Sequence, residues 1–492
     1  MKKLYRFSAI ALLVLPLIFT SCSDYLDRDD DDNITEADVF ARYEKVNGLV
    51  SDVYAAAKKA DRPLVFFEHF SNSAITDECE GTNVEGNITN NFNNGAWNPN
   101  SLPGSVGQYW EALYEGIRKA NLIIENVQKY NTPDNPQQDG DLRNRIGEMY
   151  FMRGYFHMLL LRMYGEAPYI DRVINAGDNM DFKKESVHSM VEKIVTDAQT
   201  AYGMVPNKYV KTSENFGRVD KGACLGLISF VRWVAATPLW NGASQYGYNL
   251  RRVFENEYAY DATRWRKAKE AAKAVLDFEV GGTKRYSLYT KHDANDFKDP
   301  ADGNLNDSRV YARLWDMFYD MDAFANEYVF FMTKSKDQAW QGDIYPPSRE
   351  GSSRQQPVQE QVDEYEYIVG DYGYPVYSAE ARKGGYDDTN PYVKGTRDPR
   401  FYRDVIYHGA PYRNNKNESK TINTASGSDK IGATNATTTG YYLRKFQQES
   451  WNKSGNFSIN APAIWRLPEF IYIYAEACNE LGEDIDLSLI HI

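Results

Sequence analysis

The sequence predicts a mainly helical protein, in which antiparallel helix hairpins stack side by side and carry one loop-rich insertion. Three observations predict it. Apolar residues recur at three- and four-residue spacing in seven stretches between Thr35 and Leu481, the period of an amphipathic helix. The second and third stretches are joined by a short turn, so they form a hairpin, the unit that helical solenoids repeat. From about residue 281 to residue 460 the period vanishes, and Gly, Pro, Asn, Asp and Tyr take over.

The chain opens with Lys2, Lys3 and Arg6, an apolar run from Ala9 to Phe19, and the small residues Thr20 and Ser21 before Cys22. A basic start, a short apolar middle and a small-residue exit make a secretory signal over residues 1–21. The apolar run is about half the roughly 20 residues that a membrane-spanning helix needs. Its end resembles the bacterial lipoprotein cleavage box, with Phe19 where that box more often has Leu. The resemblance implies that Cys22 becomes the first mature residue and carries lipid. Two or three acyl chains hold far better than one, since each buried methylene adds about 0.8 kcal/mol. Residues 22–34 are acidic and polar, a solvated tether.

The first helical pattern runs from Thr35, an N-cap with Asp38 three residues on, through Val39, Val46, Val50 and Val53 to Ala60. Residues 71–109 are rich in Asn, Gly and Ser without a clear period, and read as a long surface excursion. Leu113, Ile117, Ala120, Ile124 and Val127 then share one stripe, stopped by Asn131-Thr132-Pro133-Asp134. Asp141 to Tyr164 follows, ending at Gly165. Further helices are expected over Ser186–Met204, Val219–Ala236 and Arg264–Phe278. The Val219 stretch is apolar nearly all round and belongs at the centre of the stack. The scaffold therefore covers 35–280 and the insertion 281–460. Within the insertion Glu327 to Met332 reads as a strand. A last helix, Leu467 to Leu481, falls in 461–486 and is closed by Gly482.

The formal charge of −13 becomes −16 without the signal, which opposes nucleic acid and anionic lipid and leaves neutral ligands open. Cys79, Cys224 and Cys478 lack zinc-ligand spacing and cannot all pair; Cys224 and Cys478 sit in apolar helical patterns, as buried thiols do. Aromatic residues make up 14% of the chain, with 37 Tyr and 9 Trp. Such rings suit both wet interfaces and sugar faces.

Motifs for phosphate loops, H-E-x-x-H zinc sites and nucleophile elbows are missing from the sequence. No cofactor or metal is expected. His69, His157, His188, His292 and His408 show no ligand spacing, and Asp293 to Gly303 offers oxygen ligands but fails the calcium-loop template. Asp77, Glu78 and Glu80 could be read as a hydrolase pair, although a solvated acidic loop explains them more simply. Binding a sugar needs an apolar ring for its C–H face and amides or carboxylates for its hydroxyls. Asn90 to Asn100, containing Trp97, supplies both. Trp97 equally well serves to pin its own loop. Trp340 lies among small polar residues before Pro346-Pro347-Ser348-Arg349. Tyr289, Trp315 and Asp77 complete the candidate set, with Trp315 equally suited to the core.

Several stretches, in order, resemble the SusD/RagB family of surface nutrient-binding lipoproteins. They are Cys22-Ser23-Asp24-Tyr25-Leu26-Asp27, Gly116-Ile117-Arg118-Lys119-Ala120-Asn121, Arg153-Gly154-Tyr155-Phe156 running to Tyr164-Gly165-Glu166-Ala167-Pro168, and Gly217-Arg218-Val219-Asp220-Lys221-Gly222-Ala223. Pro346-Pro347-Ser348-Arg349, Asp398-Pro399-Arg400-Phe401 and Tyr474-Ala475-Glu476-Ala477 follow. The resemblance implies an α-α superhelix of degenerate tetratricopeptide-like hairpins with a loop-rich insertion subdomain. It also places Trp97 where starch-binding members stack a sugar, with Asn100 as a hydroxyl partner. Family members usually continue past the Tyr474 helix. Residues 487–492, Leu-Ser-Leu-Ile-His-Ile, match what a transposase-adapter sequence would encode, so they are expected to be a non-native tail of a truncated fragment.

The function expected from the resemblance is non-enzymatic: a lipoprotein of the outer membrane, facing the exterior, that binds oligosaccharide and hands it to a SusC-type TonB-dependent transporter. The alternatives are the same fold binding peptide or glycoprotein, and a surface glycoside hydrolase.

Overall fold

The computed structural model describes residues 35–60, 71–82, 88–98, 100, 104–130, 136–209, 214–242, 255–290, 317–318, 320–332, 342–393, 395–413, 419–447 and 463–485. Seven long helices make the frame: α1 (Tyr43–Ala60), α2 (Gly104–Tyr130), α3 (Pro136–Tyr164), α4 (Val187–Met204), α5 (Lys221–Ala236), α6 (Ala262–Leu276) and α7 (Leu467–Leu481). Each packs on the next, from α1 on α2 through to α6 on α7, although almost 190 residues separate the last two in sequence. None is long and apolar enough to cross a membrane.

The helical pattern expected from Thr35 is broken in two. A short helix, Glu36–Phe40, is closed by Ala41 before α1 begins. Its start is the expected one: Thr35 Oγ1 accepts from Asp38 N at 3.2 Å while Thr35 N donates to Asp38 Oδ2 at 3.0 Å, satisfying two otherwise orphaned donors. Phe40 on the short helix and Val46, Val50, Val53 and Ala57 on α1 still enter one core. Helices α2 and α3 start earlier than their periodicity shows, at Gly104 and Pro136. The interval 71–109 holds a strand and a six-residue helix, Ile88–Asn93, rather than loop alone.

Close helix approach depends on small residues. A Cβ on Gly116 of α2 would lie 2.5 Å from the Phe156 ring of α3, so only glycine lets the two helices meet there. Helix α5 does occupy the middle of the stack, touching α3, α4, α6 and α7, with Ala223, Cys224, Leu227 and Val231 buried. The three described cysteines, Cys79, Cys224 and Cys478, are free and buried.

Short antiparallel strand pairs stitch the insertion to the frame. In chain order they are β1 (Cys79–Gly81), β2 (Tyr328–Phe331), β3 (Gln355–Pro357), β4 (Val405–Ile406), β5 (Tyr442–Leu443) and β6 (Ala463–Arg466). Strand β2 pairs with β6, which feeds directly into α7, and this ribbon lies on α5. Gly226 makes room for it, since a Cβ there would sit 2.9 Å from Val329 and 3.3 Å from Trp465. Strand β1 pairs with β3, Cys79 opposite Pro357, and thereby ties the first loop to the insertion. Strand β4 pairs with β5.

Candidate functional site

The loop after residue 70 is built by local hydrogen bonds. Asn72–Ala74 forms a single 3-10 turn, and Ile75 bridges back to Glu80, which leaves Asp77 exposed at the tip. The short helix Ile88–Asn93 packs against this loop. Ile88 and Phe92 join Ala74, Ile75 and Val106 in a small apolar cluster, and Asn93 Nδ2 donates to Ala74 O at 3.2 Å. The helix ends where Gly95 N donates to Phe92 O and Ala96 N to Asn91 O; Gly95 takes φ +63°, a conformation a side chain resists.

That turn delivers Trp97. Its ring centroid lies 5.3 Å from that of Phe92 at an interplanar angle of 48°, and 42% of the residue stays exposed. Trp97 thus pins its loop and presents indole surface at once. Beyond it, Asn100 N donates to Asn98 Oδ1 at 2.9 Å, and both asparagine side chains are exposed. Asp77, Trp97 and Asn100 therefore sit on two loops joined through Phe92 and Asn93. Tyr289 lies elsewhere. It is 8% exposed, packed with Phe318, Phe324 and Tyr328, and its hydroxyl donates to Asp320 at 2.9 Å. Trp315, Trp340, Cys22 and the Asp293–Gly303 tract fall outside the described residues.

Behind the Asp77 loop lies a cavity of about 510 Å³ that the sequence does not announce. Ser71, Ser73 and Cys79 form one wall, Leu159, Arg162 and Met163 of α3 a second, and the insertion the rest, through Gln355, Gln361, Tyr365, Asp404 and Lys445. These residues span about 375 positions in a few separate short groups, and no local pattern brings the groups together. Burial pushes the Cys79 thiol up to about 11, so it stays protonated near neutral pH. Burial likewise pulls Lys445 below the ordinary lysine value, with Asp404 the largest opposing influence. Asp404 is fully engaged, gripped by the Arg403 guanidinium and accepting from Tyr365 Oη at 3.0 Å.

Lys445 and Phe446 also wall a second cavity, about 600 Å³, lined on the far side by Trp233, Pro468, Glu469 and Tyr472. Phe446 holds φ +65°, strained for an aromatic residue, and its ring meets Phe318 edge-on at 4.4 Å. Burial lifts Glu469 to about 7 against the opposing charges of Arg162 and Arg466. Among the described residues no group of three or more His, Cys, Asp or Glu could hold a metal ion. Amides, hydroxyls, aromatic faces and unengaged cations around an open space can bind a polar ligand by hydrogen bonding and stacking.

Residues 24–231 match a family model described as SusD-like, "starch-binding associating with outer membrane", and residues 320–489 match that of the SusD family. A curated relative, SusD-like protein P2 of Formosa agariphila, is 24% identical over 202 residues, 40% of this chain and 38% of that protein. The match thus spans well under two thirds of that relative's length. Among solved structures, a SusD-like protein of Bacteroides fragilis superposes with a TM-score of 0.66 at 18% identity, covering 92% of this chain and 77% of the other. A SusD-like carbohydrate-binding protein of the same species gives 0.67 at 14% identity with the same coverage. Surface glycan-binding protein A of Bacteroides thetaiotaomicron gives 0.53 at 14% identity, covering 92% and 82%. At such identities the superpositions speak for the fold alone, and they agree with the two family models, whose matched segments together take up most of the sequence: the chain belongs to the SusD family.

Proposed function

We propose that this chain is a non-catalytic glycan-capture protein, held on the outer face of the outer membrane by lipid on Cys22, which passes oligosaccharide to a SusC-type TonB-dependent transporter. The observation that carries the binding step is Trp97. The residue is 42% exposed, its ring backed by Phe92, on a loop fastened to its neighbour by the Asn93–Ala74 bond. A rigid, half-open ring offers the apolar face that sugar C–H groups stack on, at little entropic cost. Asn98 and Asn100 beside it, and Asp77 on the adjoining loop, supply exposed amide and carboxylate partners for hydroxyls. Support also comes from the relatives, two of which are described as binding carbohydrate or glycan at a surface.

Stacking plus a few hydrogen bonds gives modest affinity, as suits a ligand that must be released onward. Purified protein run in native gels cast with a panel of neutral polysaccharides should be retarded by at least one. Trp97→Ala should weaken that retention about two- to tenfold, the equivalent of about 0.5–1.5 kcal/mol of stacking. Undiminished retention of Trp97→Ala would remove Trp97 from the site.

A further inference from the structure

The cavity behind the Asp77 loop carries more than a general affinity for sugars, because two cations on its walls make no hydrogen bond or ion pair among the described residues. Gln355 lines it, but its carbonyl is taken, accepting from Ser71 N at 2.8 Å and Ser71 Oγ at 3.0 Å; only the amide hydrogens remain to offer. Both oxygens of Asp404 are taken by Arg403 and Tyr365. Lys445 Nζ makes no hydrogen bond or ion pair among the described residues; its nearest recorded partner is the Phe446 ring, 5.3 Å away. Arg162 likewise makes none there, its guanidinium lying 5.5 Å over the Phe230 ring. The side-chain amides of Asn72 and Gln361 keep an acceptor as well as donors, but the charges left over on the walls are the two cations. Glu78, exposed at the rim, makes no hydrogen bond through its carboxylate among the described residues, and with Asp404 it favours the charged form of Lys445.

A half-buried ammonium with three unused donors is costly to leave unmatched, and a carboxylate ligand satisfies it with short, charge-assisted bonds. A neutral sugar, whose hydroxyls both donate and accept, can satisfy the amides but brings no counter-charge to the two cations. The volume of about 510 Å³ lies within the range of small-molecule sites, roughly 300–1,000 Å³. Long polyanions are disfavoured by the formal charge of −13 over the whole chain, so a single acidic residue on an otherwise neutral glycan fits best.

We propose that the cavity between the Asp77 loop, α3 and the insertion is an acid-recognition subsite, in which Lys445, with Arg162 and Gln355, binds the carboxylate of a uronic acid residue carried by the glycan. This rests on the glycan-capture reading and narrows its substrate class.

The test is calorimetry on the full chain with xylobiose capped by one glucuronic acid residue, and with the methyl ester of the same trisaccharide. The acid should bind the wild type about tenfold more tightly than the ester, the worth of one charge-assisted contact. Lys445→Met keeps the side-chain stem and removes a costly unpaired charge, so it should fold with a melting temperature no lower than the wild type's and lose that preference; Lys445→Arg should keep most of it. Equal binding of acid and ester, or a preference that survives Lys445→Met, overturns the subsite. Binding of neither, in a protein still retarded by neutral polysaccharide, overturns the subsite and leaves glycan capture standing. Binding of neither and retardation by no polysaccharide sinks both.

Discussion

Arg153 in the helical frame and Arg397 in the insertion are both buried guanidinium groups, 7% and 2% exposed, and they are satisfied by a different balance of partners. Arg153 is matched mainly by side chains, with one main-chain acceptor, Asp171 O, at 2.9 Å. Its Nε donates to Asp197 Oδ2 at 2.7 Å, its Nη2 to Asp197 Oδ1, and its Nη1 to Asn121 Oδ1 at 2.9 Å. Asp197 also accepts from Tyr169 Oη at 2.6 Å, which completes a small network joining α2, α3 and α4. Arg397 is matched by main chain: its Nε donates to Tyr365 O at 2.9 Å, and its Nη2 to Val362 O and Tyr365 O, each at 2.6 Å. Phe401 covers its face at 5.0 Å.

The difference follows from secondary structure. A helix pairs its own carbonyls, so a cation buried between helices binds mostly side chains, and the one carbonyl Arg153 reaches belongs to the loop between α3 and α4. Irregular chain leaves carbonyls orphaned, and a five-donor fork can collect several of them at once. Arg397 thus does in the insertion what a ladder of backbone bonds does in the frame.

Two substitutions sharpen that contrast. Arg153→Met should cost about 3–5 kcal/mol, because it strands the Asp197 carboxylate in the core. The loss should appear as a lower urea midpoint for the whole molecule, and Asp197→Leu added to it should restore part of the loss. Arg397→Met should cost less, about 1.5–3 kcal/mol, and locally, since it frees carbonyls that water can reach once the insertion loosens. Deuterium exchange should rise over residues 359–406 while amides of α3 to α5 keep their protection. A global loss from Arg397→Met equal to that from Arg153→Met would erase the distinction between the two regions.

The same division governs what could be read from the sequence. The last helix begins at Leu467 and ends at Leu481 as its periodicity and Gly482 foretell, and Gly482 does take the left-handed cap, φ +65°. Ser186 and Asp220 cap their helices through Ser189 N and Ala223 N. The first helix was harder, because apolar spacing runs unbroken across the interruption after Phe40. In the insertion, the Glu327–Met332 strand is legible while its partner, β6, lies about 130 residues further on, and nothing local announces the pairing.

The candidate site divides likewise. Asp77, Trp97 and Asn100 come from one stretch rich in polar residues, where composition marks a sugar-binding loop and the family resemblance singles out Trp97 and Asn100. Tyr289 was expected on a surface loop, but Glu327 Oε2 accepts from its backbone N–H at 2.6 Å and the ring turns into an aromatic cluster. Lys445, Gln355 and Arg162 meet only through tertiary packing, and single polar residues in unremarkable surroundings leave no pattern to find.

Whether sugar is held where the exposed indole stands can be tested most directly by deuterium exchange of the wild-type protein, with and without a polysaccharide that retards it. Amides within residues 71–82 and 88–98 should gain protection, and those of α4 and α6 should not change. Protection confined to the helical frame, with the Asp77 and Trp97 loops unaffected, would contradict the assignment.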